Sequence, residues 1–264
     1  MQLASVGSSV RRALRRHIGI WPLFEARNRV VHVRGTLAAR ATEARETRRL
    51  AEQVRDFGPA TVATVIPTYK RPDLLQRAVA SALSQTVDDQ IIIVVDDGGG
   101  LPKLPEDSRL RAVSLSHNTA ILGLVRNVGI SLTQSKYVAF LDDDNEWMPN
   151  HLEIALEALG RDVDMVYTAL QRHLPDGTLV DILTRDFDRK ALADDSNYLD
   201  INAVLVRRRP SLHFSRIPRT KRTLPKEDWE FIYRFSRRHD VRHVPVPTVR
   251  YLINEESYYT EWSP

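Results

Sequence analysis

Three consecutive aspartates, Asp142, Asp143 and Asp144, follow an apolar run that ends at Leu141. Carboxylates so close together repel one another and raise one another's pKa, so the cluster is unfavourable unless positive charge compensates it. Solvent, a helix terminus or a metal ion could provide that charge. The residues alone leave these alternatives open, and the simplest structural one is a solvated acidic turn before a helix that begins near Pro149.

Two earlier apolar segments, residues 61–66 and 90–95, also end in residue types that bind ligands. The residues that follow them are Pro67, Thr68 and Tyr69 in the first case and Asp96, Asp97 and Gly98 in the second. Both segments are short and rich in β-branched residues, which is typical of strands buried on both faces of a parallel sheet. Because ligands bind beyond the carboxyl ends of such strands, we expect these residues and the aspartate cluster to share one crevice.

Strand-like and helical patterns alternate along the rest of the chain. Further strands are predicted for residues 110–115, 136–141, 163–170 and 201–206, and helices from Pro72 and over residues 124–132, 149–159 and 227–238. The polar segments 185–198 and 215–226 are expected to be irregular. This alternation predicts an α/β fold with a mainly parallel sheet flanked by helices.

Composition narrows the classes of protein that the chain can represent. Its 264 residues contain 42% hydrophobic residues and no cysteine, which excludes disulfides, thiolate zinc sites and cysteine nucleophiles. No apolar run approaches the roughly 20 residues that span a bilayer. The net charge is uneven: residues 1–58 hold 12 arginines and 5 acidic residues, a net +7, and the remainder carries −3. We expect a cytoplasmic protein with a basic extension.

Six sequence blocks, in order, resemble the family 2 glycosyltransferases, which have the GT-A fold. They span about residues 61–160 and are Ile66-Pro67-Thr68-Tyr69, residues 81–86 (SALSQT), 94–98 (VVDDG), 126–129 (RNVG), 137–144 (YVAFLDDD) and Trp147-Met148-Pro149. Glu227-Asp228-Trp229 matches a later Glu-Asp motif of the family. The resemblance implies two regions, a helical extension over residues 1–58 and a GT-A domain over residues 59–264.

The resemblance implies a donor site for a nucleotide-diphosphate sugar, most often a uridine nucleotide in this family. Pro67, Thr68 and Tyr69 would contact the base and ribose, and Asp97 would accept a hydrogen bond from the base. Asp142 and Asp143 would contact the donor. Asp142 and Asp144 would bind Mn²⁺ or Mg²⁺, hard cations that prefer oxygen ligands and retain substrate phosphates in their coordination shell.

The donor and acceptor also need neighbours outside the strand ends. Arg126 and Asn127 lie in a predicted helix, where a guanidinium could bind a phosphate through two hydrogen bonds, although a surface arginine is the simpler interpretation. Asp228 matches the catalytic aspartate of the family and would take the proton of the acceptor hydroxyl, with Glu227 and Trp229 beside it. The structural alternative is that Glu227 and Asp228 stabilise a helix N-terminus.

A third metal ligand is not fixed by the sequence. The family often carries a Tyr-Arg-x-His-like element, and the corresponding residues here run from Tyr251 to Asn254, so asparagine stands where histidine is common. His239 and His243 are the other candidates nearby in sequence.

The basic extension contains two amphipathic patterns. In the first, Val10, Ala13, Leu14, His17 and Trp21 share a helical face, with arginines 11, 12, 15 and 16 on the other, a pattern that suits an anionic membrane surface. In the second, Val30, Val33, Leu37, Ala41, Ala44 and Val54 form a weak apolar stripe that could pair with a second copy or lie on the catalytic domain. A solvated arginine-rich helix packed on its own domain is an equal alternative.

These observations lead to a function with two alternatives. We expect an inverting, metal-dependent glycosyltransferase that acts on an unidentified acceptor hydroxyl and binds no nucleic acid. One alternative is a sugar nucleotidyltransferase, which would also need a glycine-rich phosphate loop; residues 98–100 are glycines but lead into Leu101-Pro102. The other is a non-catalytic protein whose arginine-rich extension binds RNA or a protein partner.

Overall fold

The computed structural model describes residues 20–194, 198–218 and 226–253, with the side chain of residue 20 excepted. Its helices are α1 (Ile20–Val31), α2 (Val33–Ala51), α3 (Pro72–Leu83), α4 (Leu122–Ser131), α5 (His151–Leu159), α6 (Arg189–Asp194) and α7 (Glu227–Ser236). Its strands are β1 (Val62–Thr68), β2 (Gln90–Asp96), β3 (Leu110–Ser114), β4 (Tyr137–Phe140), β5 (Glu146–Trp147), β6 (Met165–His173), β7 (Leu179–Leu183), β8 (Val204–Arg207) and β9 (Val241–Leu252).

The described strands form one sheet in the order β3-β2-β1-β4-β8-β6-β9-β5, with β7 also paired to β6. Strands β3, β2, β1 and β4 are parallel, whereas β8 runs antiparallel to both β4 and β6. The predicted α/β fold is therefore confirmed, with an antiparallel region added beyond β4. Since the four parallel strands all point the same way, the carboxyl ends of β1, β2 and β4 meet at one edge of the sheet.

Local sequence explains the elements that carry this edge. Every residue of β1 and β2 is buried, as the continuous apolar runs predict. Helix α3 begins at Pro72, whose ring suits a first helical turn, and it buries Leu75 and Val79 against the sheet. Helix α4 approaches β1 closely, since a Cβ atom on Gly129 would lie 2.5 Å from Val65 Cγ1. Glycine at this position therefore allows α4 to lie directly on β1.

Two predicted segments differ from the structure. Residues 201–206 were expected to form one strand, but Ile201–Ala203 is a 3₁₀ turn and the strand β8 begins at Val204. The cause is Asp200, whose side chain accepts a hydrogen bond from the backbone N–H of Asn202 and so begins a turn. Within the segment expected to be irregular, residues 189–194 form α6, and Asp188 Oδ1 accepts hydrogen bonds from two backbone N–H groups of that helix.

The extension folds onto the rest of the molecule with an unexpected face. Helices α1 and α2 are nearly continuous, because His32 N donates to Asn28 O at 2.9 Å and Thr36 N to His32 O at 2.8 Å. The residues of α2 buried against the domain are Ala39, Glu43, Glu46 and Leu50. The residues of the predicted apolar stripe from Val30 to Ala44 face solvent. The prediction that this stripe packs on the catalytic domain is therefore wrong, except at Val54. The proposed helix from Val10 lies outside the described residues, apart from Trp21.

None of the described helices combines the length and the apolar character that a bilayer crossing requires.

Candidate active site

A cavity of about 450 Å³ lies at the edge of the sheet where β1, β2 and β4 end. It is closed on the other side by α4, by the segment 215–217 and by the start of α7. The predicted site residues that line it are Pro67, Thr68, Tyr69, Asp97, Arg126, Asp142, Asp143, Asp144, Glu227 and Asp228. With Tyr251 also in the lining, one concave site contains residues that are up to 184 positions apart in the chain.

Asp143 links the ends of two strands. Its Oδ2 accepts a hydrogen bond from Thr68 Oγ1 at 2.7 Å, and its Oδ1 accepts one from Arg71 Nη1 at 3.2 Å. The side chain is buried, and burial raises its pKa even though Thr68 and Arg71 act in the opposite direction. These contacts indicate that Asp143 holds β1 and β4 together at the cavity wall.

Asp144 is the less compensated neighbour. Its Oδ2 accepts a hydrogen bond from Arg71 Nη1 at 2.8 Å, and its Oδ1 accepts one from Asn145 Nδ2 at 3.0 Å. Burial, with repulsion from Asp142 and Asp143, raises its pKa to about 6 despite the arginine. A carboxylate in this state gains from an additional cation nearby.

Asp142 belongs to a network centred on Arg126. Arg126 is 1% exposed, and its guanidinium donates from Nη2 to Asp142 Oδ1 at 2.6 Å and from Nη1 to Glu227 Oε1 at 3.0 Å. Asn202 Nδ2 donates to the other oxygen of Asp142 at 3.1 Å. Arg126 is thus not a surface residue. Both of its terminal nitrogens donate to carboxylates. The structure therefore places its guanidinium between two acidic groups and not in a bidentate phosphate contact.

Asp97 organises the loop that follows β3 beside the cavity. Its Oδ1 accepts hydrogen bonds from Thr119 N and Oγ1 at 2.9 and 2.8 Å, and its Oδ2 accepts one from Ala120 N at 2.9 Å. Ala120 has a φ of 52°, a left-handed conformation that is unfavourable for alanine and that these contacts stabilise. Asp97 lines the cavity, and burial raises its pKa. Its contact with a nucleotide base stays a prediction.

Tyr69 lies on the rim of the same wall. Its side chain is 37% exposed, and Lys70 Nζ lies 5.2 Å from the ring centroid. A Cβ atom on Gly99 would come within 2.9 Å of Tyr69 Cδ2, so glycine is needed for this loop to pass the ring. The ring lies at the cavity mouth, where an aromatic face can stack on a planar group.

Two further carboxylates, Glu227 and Asp228, line the cavity opposite the strand ends. Burial and repulsion from Asp228 raise the pKa of Glu227 to about 7, against the effect of Arg126. Burial also raises the pKa of Asp228, whose Oδ1 accepts a hydrogen bond from Trp229 N at 2.6 Å. Among the described residues, no donor reaches Asp228 Oδ2. Glu227 can therefore exchange a proton near neutral pH, and the pKa of Asp228 is shifted in the same direction.

Asp200 is a cavity residue that sequence reasoning missed. Its Oδ1 accepts hydrogen bonds from Asn202 N at 2.8 Å and from Asn202 Nδ2 at 2.6 Å, and burial with repulsion from Asp142 raises its pKa to about 7. Arg71 was missed as well. Arg71 lies two residues after Tyr69, so its closeness to the Pro67-Thr68-Tyr69 block could have indicated a place in the site. Asp200 directly precedes a segment that was predicted to be a strand, and its sequence gives no such indication.

Four assignments are corrected because the residues do not line the cavity. Asn127 is buried and donates from Nδ2 to Glu43 Oε2 at 3.0 Å, away from the site. Trp229 is buried and donates from Nε1 to Leu192 O at 2.6 Å. Both side chains therefore form hydrogen bonds within the protein, outside the cavity lining.

The two candidate histidine ligands are also elsewhere. His239 Nδ1 lies 2.8 Å from Asp164 Oδ2, and His243 Nδ1 lies 3.0 Å from Asp186 Oδ1. Neither histidine lines the cavity, whereas Tyr251 does. Asn254 lies outside the described residues. Within those residues, no group of three or more histidine, aspartate or glutamate side chains is arranged to hold a metal ion.

Two walls of the cavity rest on α2 of the extension. Glu43 accepts hydrogen bonds from Arg216 Nε and Nη2, both at 2.6 Å, next to Ser215 and Ile217 of the lining. Glu46 accepts hydrogen bonds from Ser116 N at 3.1 Å and Oγ at 2.7 Å, at the start of the loop held by Asp97. The extension thus supports the site from behind.

Comparisons with known proteins show which family this chain resembles. Residues 63–185 match the family model of glycosyl transferase family 2. The succinoglycan biosynthesis protein ExoW of Rhizobium meliloti is 34% identical over 121 residues, which are 42% of this chain and 38% of ExoW. The putative teichuronic acid biosynthesis glycosyltransferase TuaG of Bacillus subtilis is 31% identical over 128 residues, which are 46% of this chain and 50% of TuaG.

The fold has solved counterparts. The structure of S. aureus TarS residues 1–349 in complex with UDP-GlcNAc superimposes with a TM-score of 0.57 over 77% of this chain and 61% of that one, at 13% sequence identity. The chain spans half or less of the length of the two curated relatives above. Residues 63–185 therefore form a family 2 glycosyltransferase domain, and the chain has the GT-A fold.

Proposed function

We propose that this chain transfers a sugar from a nucleotide-diphosphate donor to an acceptor hydroxyl, with inversion at the sugar carbon. The observation that carries the proposal is the single cavity in which the strand-end aspartates face Glu227 and Asp228. Such a cavity separates a region that can bind an anionic leaving group from a region that can accept a proton. The nucleotidyltransferase and the RNA-binding alternatives have no comparable support in the structure.

The donor is proposed to be a uridine-diphosphate sugar. The wall formed by Pro67, Thr68, Tyr69 and Asp97 combines an exposed ring with a carboxylate, as a site for a base and ribose requires. S. aureus TarS, which shares the fold, has been crystallised with UDP-GlcNAc and with UDP. The experiment below tests the identity of the base.

A divalent cation fits the donor chemistry of the strand ends. The raised pKa of Asp144 shows a carboxylate short of positive charge, and Mg²⁺ or Mn²⁺ needs one or two protein carboxylates when phosphates complete its shell. Asp144 and Asp142 would hold the ion, which when bound would supply positive charge beside the departing diphosphate. Arg71, already 2.8 Å from Asp144, lies close enough to add its own charge there.

Asp228 is proposed as the general base. The acceptor oxygen forms a bond to the sugar carbon while the bond from that carbon to the diphosphate oxygen breaks, and the hydroxyl proton passes to Asp228 Oδ2. Attack opposite the leaving group inverts the carbon in one displacement. Glu227 is tied to Arg126 at 3.0 Å, so Asp228 is the freer of the two carboxylates to approach an acceptor.

Thermal unfolding in the presence of nucleotides tests the donor site. UDP, GDP and dTDP are each added with and without Mn²⁺ to the full chain, and we expect UDP to raise the Tm most when the metal is present. The Asp144→Asn variant should lose this increase. Asp181→Asn, which removes a carboxylate paired with Arg172 outside the cavity, is the matched control and should retain it. If none of the diphosphates stabilises the wild-type chain with Mn²⁺, the proposed donor site is wrong.

A further inference from the structure

The solvent-facing side of the extension carries an apolar stripe that no described residue covers. We call this the outer face; it consists of Val30, Val33, Leu37, Ala41 and Ala44. Val30 is 78% exposed, Val33 54% and Leu37 61%. The hydrogen bonds across His32 keep the stripe, which is about 20 Å long, on one side of a nearly continuous helix. A contiguous row of exposed aliphatic side chains indicates an interaction surface.

Arginines flank the outer face on both sides. Exposed positions along it carry Arg27, Arg34, Arg40, Arg45 and Arg48. The acidic residues between positions 26 and 48 are Glu43 and Glu46, and both are buried on the opposite side of α2. The charge presented by this surface is therefore uniformly positive, and its partner must combine an apolar layer with negative charge.

We propose that the outer face binds an anionic lipid bilayer, with the aliphatic residues inserted at the interface and the arginines at the headgroups. A helix of this composition lies in the plane of the membrane. A second copy fits less well, because two such faces would bring arginines against arginines. Nucleic acid would meet the arginines but would find only aliphatic side chains between them, with no ring for a base to stack on.

The geometry connects this surface to the catalytic domain. Glu43 and Glu46, on the inner side of α2, hold the segment at Arg216 and the loop at Ser116, and both segments continue into cavity walls. A bilayer on the outer face would thus lie about one helix diameter, roughly 10 Å, from the surface of the domain. The inference concerns membrane attachment and holds whether or not the proposed reaction is correct.

Vesicle co-sedimentation of the full 264-residue chain tests the proposal. We expect the protein to sediment with vesicles of phosphatidylcholine and phosphatidylglycerol, to remain in solution with phosphatidylcholine alone, and to be released by NaCl. The Val33→Ser/Leu37→Ser variant should bind about tenfold more weakly, because it removes methyl and methylene groups that the bilayer would bury. The Arg34→Gln/Arg40→Gln variant should lose a similar factor through charge alone.

Leu179→Ser/Ile182→Ser is the matched control. These residues are on β7 and are 47% and 44% exposed, so the substitution removes equally exposed aliphatic groups elsewhere and should leave binding unchanged. Since every substituted residue is exposed, the variants should unfold at the wild-type temperature. Unaltered binding by the Val33/Leu37 and Arg34/Arg40 variants would overturn the proposal, because both keep residues 1–19 intact. A dimer in light scattering that Val33→Ser/Leu37→Ser dissociates would overturn it in favour of a second copy.

Discussion

Buried carboxylates occur in two regions of this molecule, and the two regions treat them differently. In the cavity, burial together with neighbouring negative charge raises the pKa of Asp144 to about 6 and that of Glu227 to about 7. On α2 of the extension, burial also favours a higher pKa for Glu46, but hydrogen bonds from Ser116 and Arg49 outweigh it and lower the pKa to about 2. The Glu46 side chain is 1% exposed, against 14% for Asp144 and 15% for Glu227, so solvent exposure alone does not set the direction of these pKa shifts.

The difference lies in the supply of donors. Glu46 receives hydrogen bonds from a backbone N–H, a hydroxyl and a guanidinium, which is what a carboxylate with a structural role requires. In the cavity, Arg126 is shared between Asp142 and Glu227, and Arg71 between Asp143 and Asp144. Acidic groups that are short of compensation, in a concave site, indicate a place where ligands and protons complete the balance.

Removal of the proposed base, Asp228 of the cavity, should have the largest effect. Asp228→Asn keeps the shape of the side chain but cannot take a proton, so transfer should fall about 1,000-fold. Nucleotide binding, followed by the Tm increase with Mn²⁺, should be retained because the strand-end aspartates are intact. Release of the nucleoside diphosphate from the sugar nucleotide measures the rate, with Asp181→Asn as control. A variant that turns over at the wild-type rate would exclude Asp228 as the base.

Removing the shared cation should have the next largest effect. Arg126→Met leaves the half-buried Asp142 and Glu227 without their guanidinium, so the free energy of unfolding should fall by about 3 kcal/mol. Arg77→Met is the control, since Arg77 is 61% exposed in its pair with Glu146 and should contribute less than about 1 kcal/mol. Urea unfolding measures both values. Equal losses in the two variants would show that Arg126 has no special place in the cavity.

Sequence predicted the cavity better than it predicted the extension. The strand ends are encoded locally: an apolar run, then a polar group, places Thr68, Asp97 and Asp144 at one edge of a parallel sheet. Asp200 was missed because its role depends on Asn202 and on the turn that they form together. Glu43 and Glu46 were missed as buried residues since their partners, Arg216 and Ser116, are distant in the chain. Hydrophobic periodicity therefore pointed to the wrong face of α2.

The compensated carboxylate of the extension gives the third prediction. Glu46→Gln should lower the free energy of unfolding by about 2 kcal/mol at pH 7, because it removes charge-assisted hydrogen bonds. The folded-state pKa is about 2 and the ordinary value is 4.5, so this stabilisation is present above pH 4.5 and is lost as the pH falls toward 2. Thermal melts of both proteins across that range should converge at the acidic end. A constant difference at all pH values would mean that the charge of Glu46 does not stabilise the fold.

The smallest effect, and the one with opposite sign, is expected at Glu227. Its folded-state pKa of about 7 lies above the ordinary value of 4.5, so the folded protein holds the proton more tightly than the unfolded chain and loses stability as the pH rises from 4.5 through 7. Glu227→Gln should therefore stabilise the protein above pH 7, by on the order of 1 kcal/mol, because the variant also gives up the ion pair with Arg126. Below pH 4.5 the two proteins should melt alike. If Glu227→Gln instead destabilised the protein above pH 7 as Glu46→Gln is expected to do, the cavity carboxylate would be fully compensated by Arg126, and the contrast between the two regions would fail.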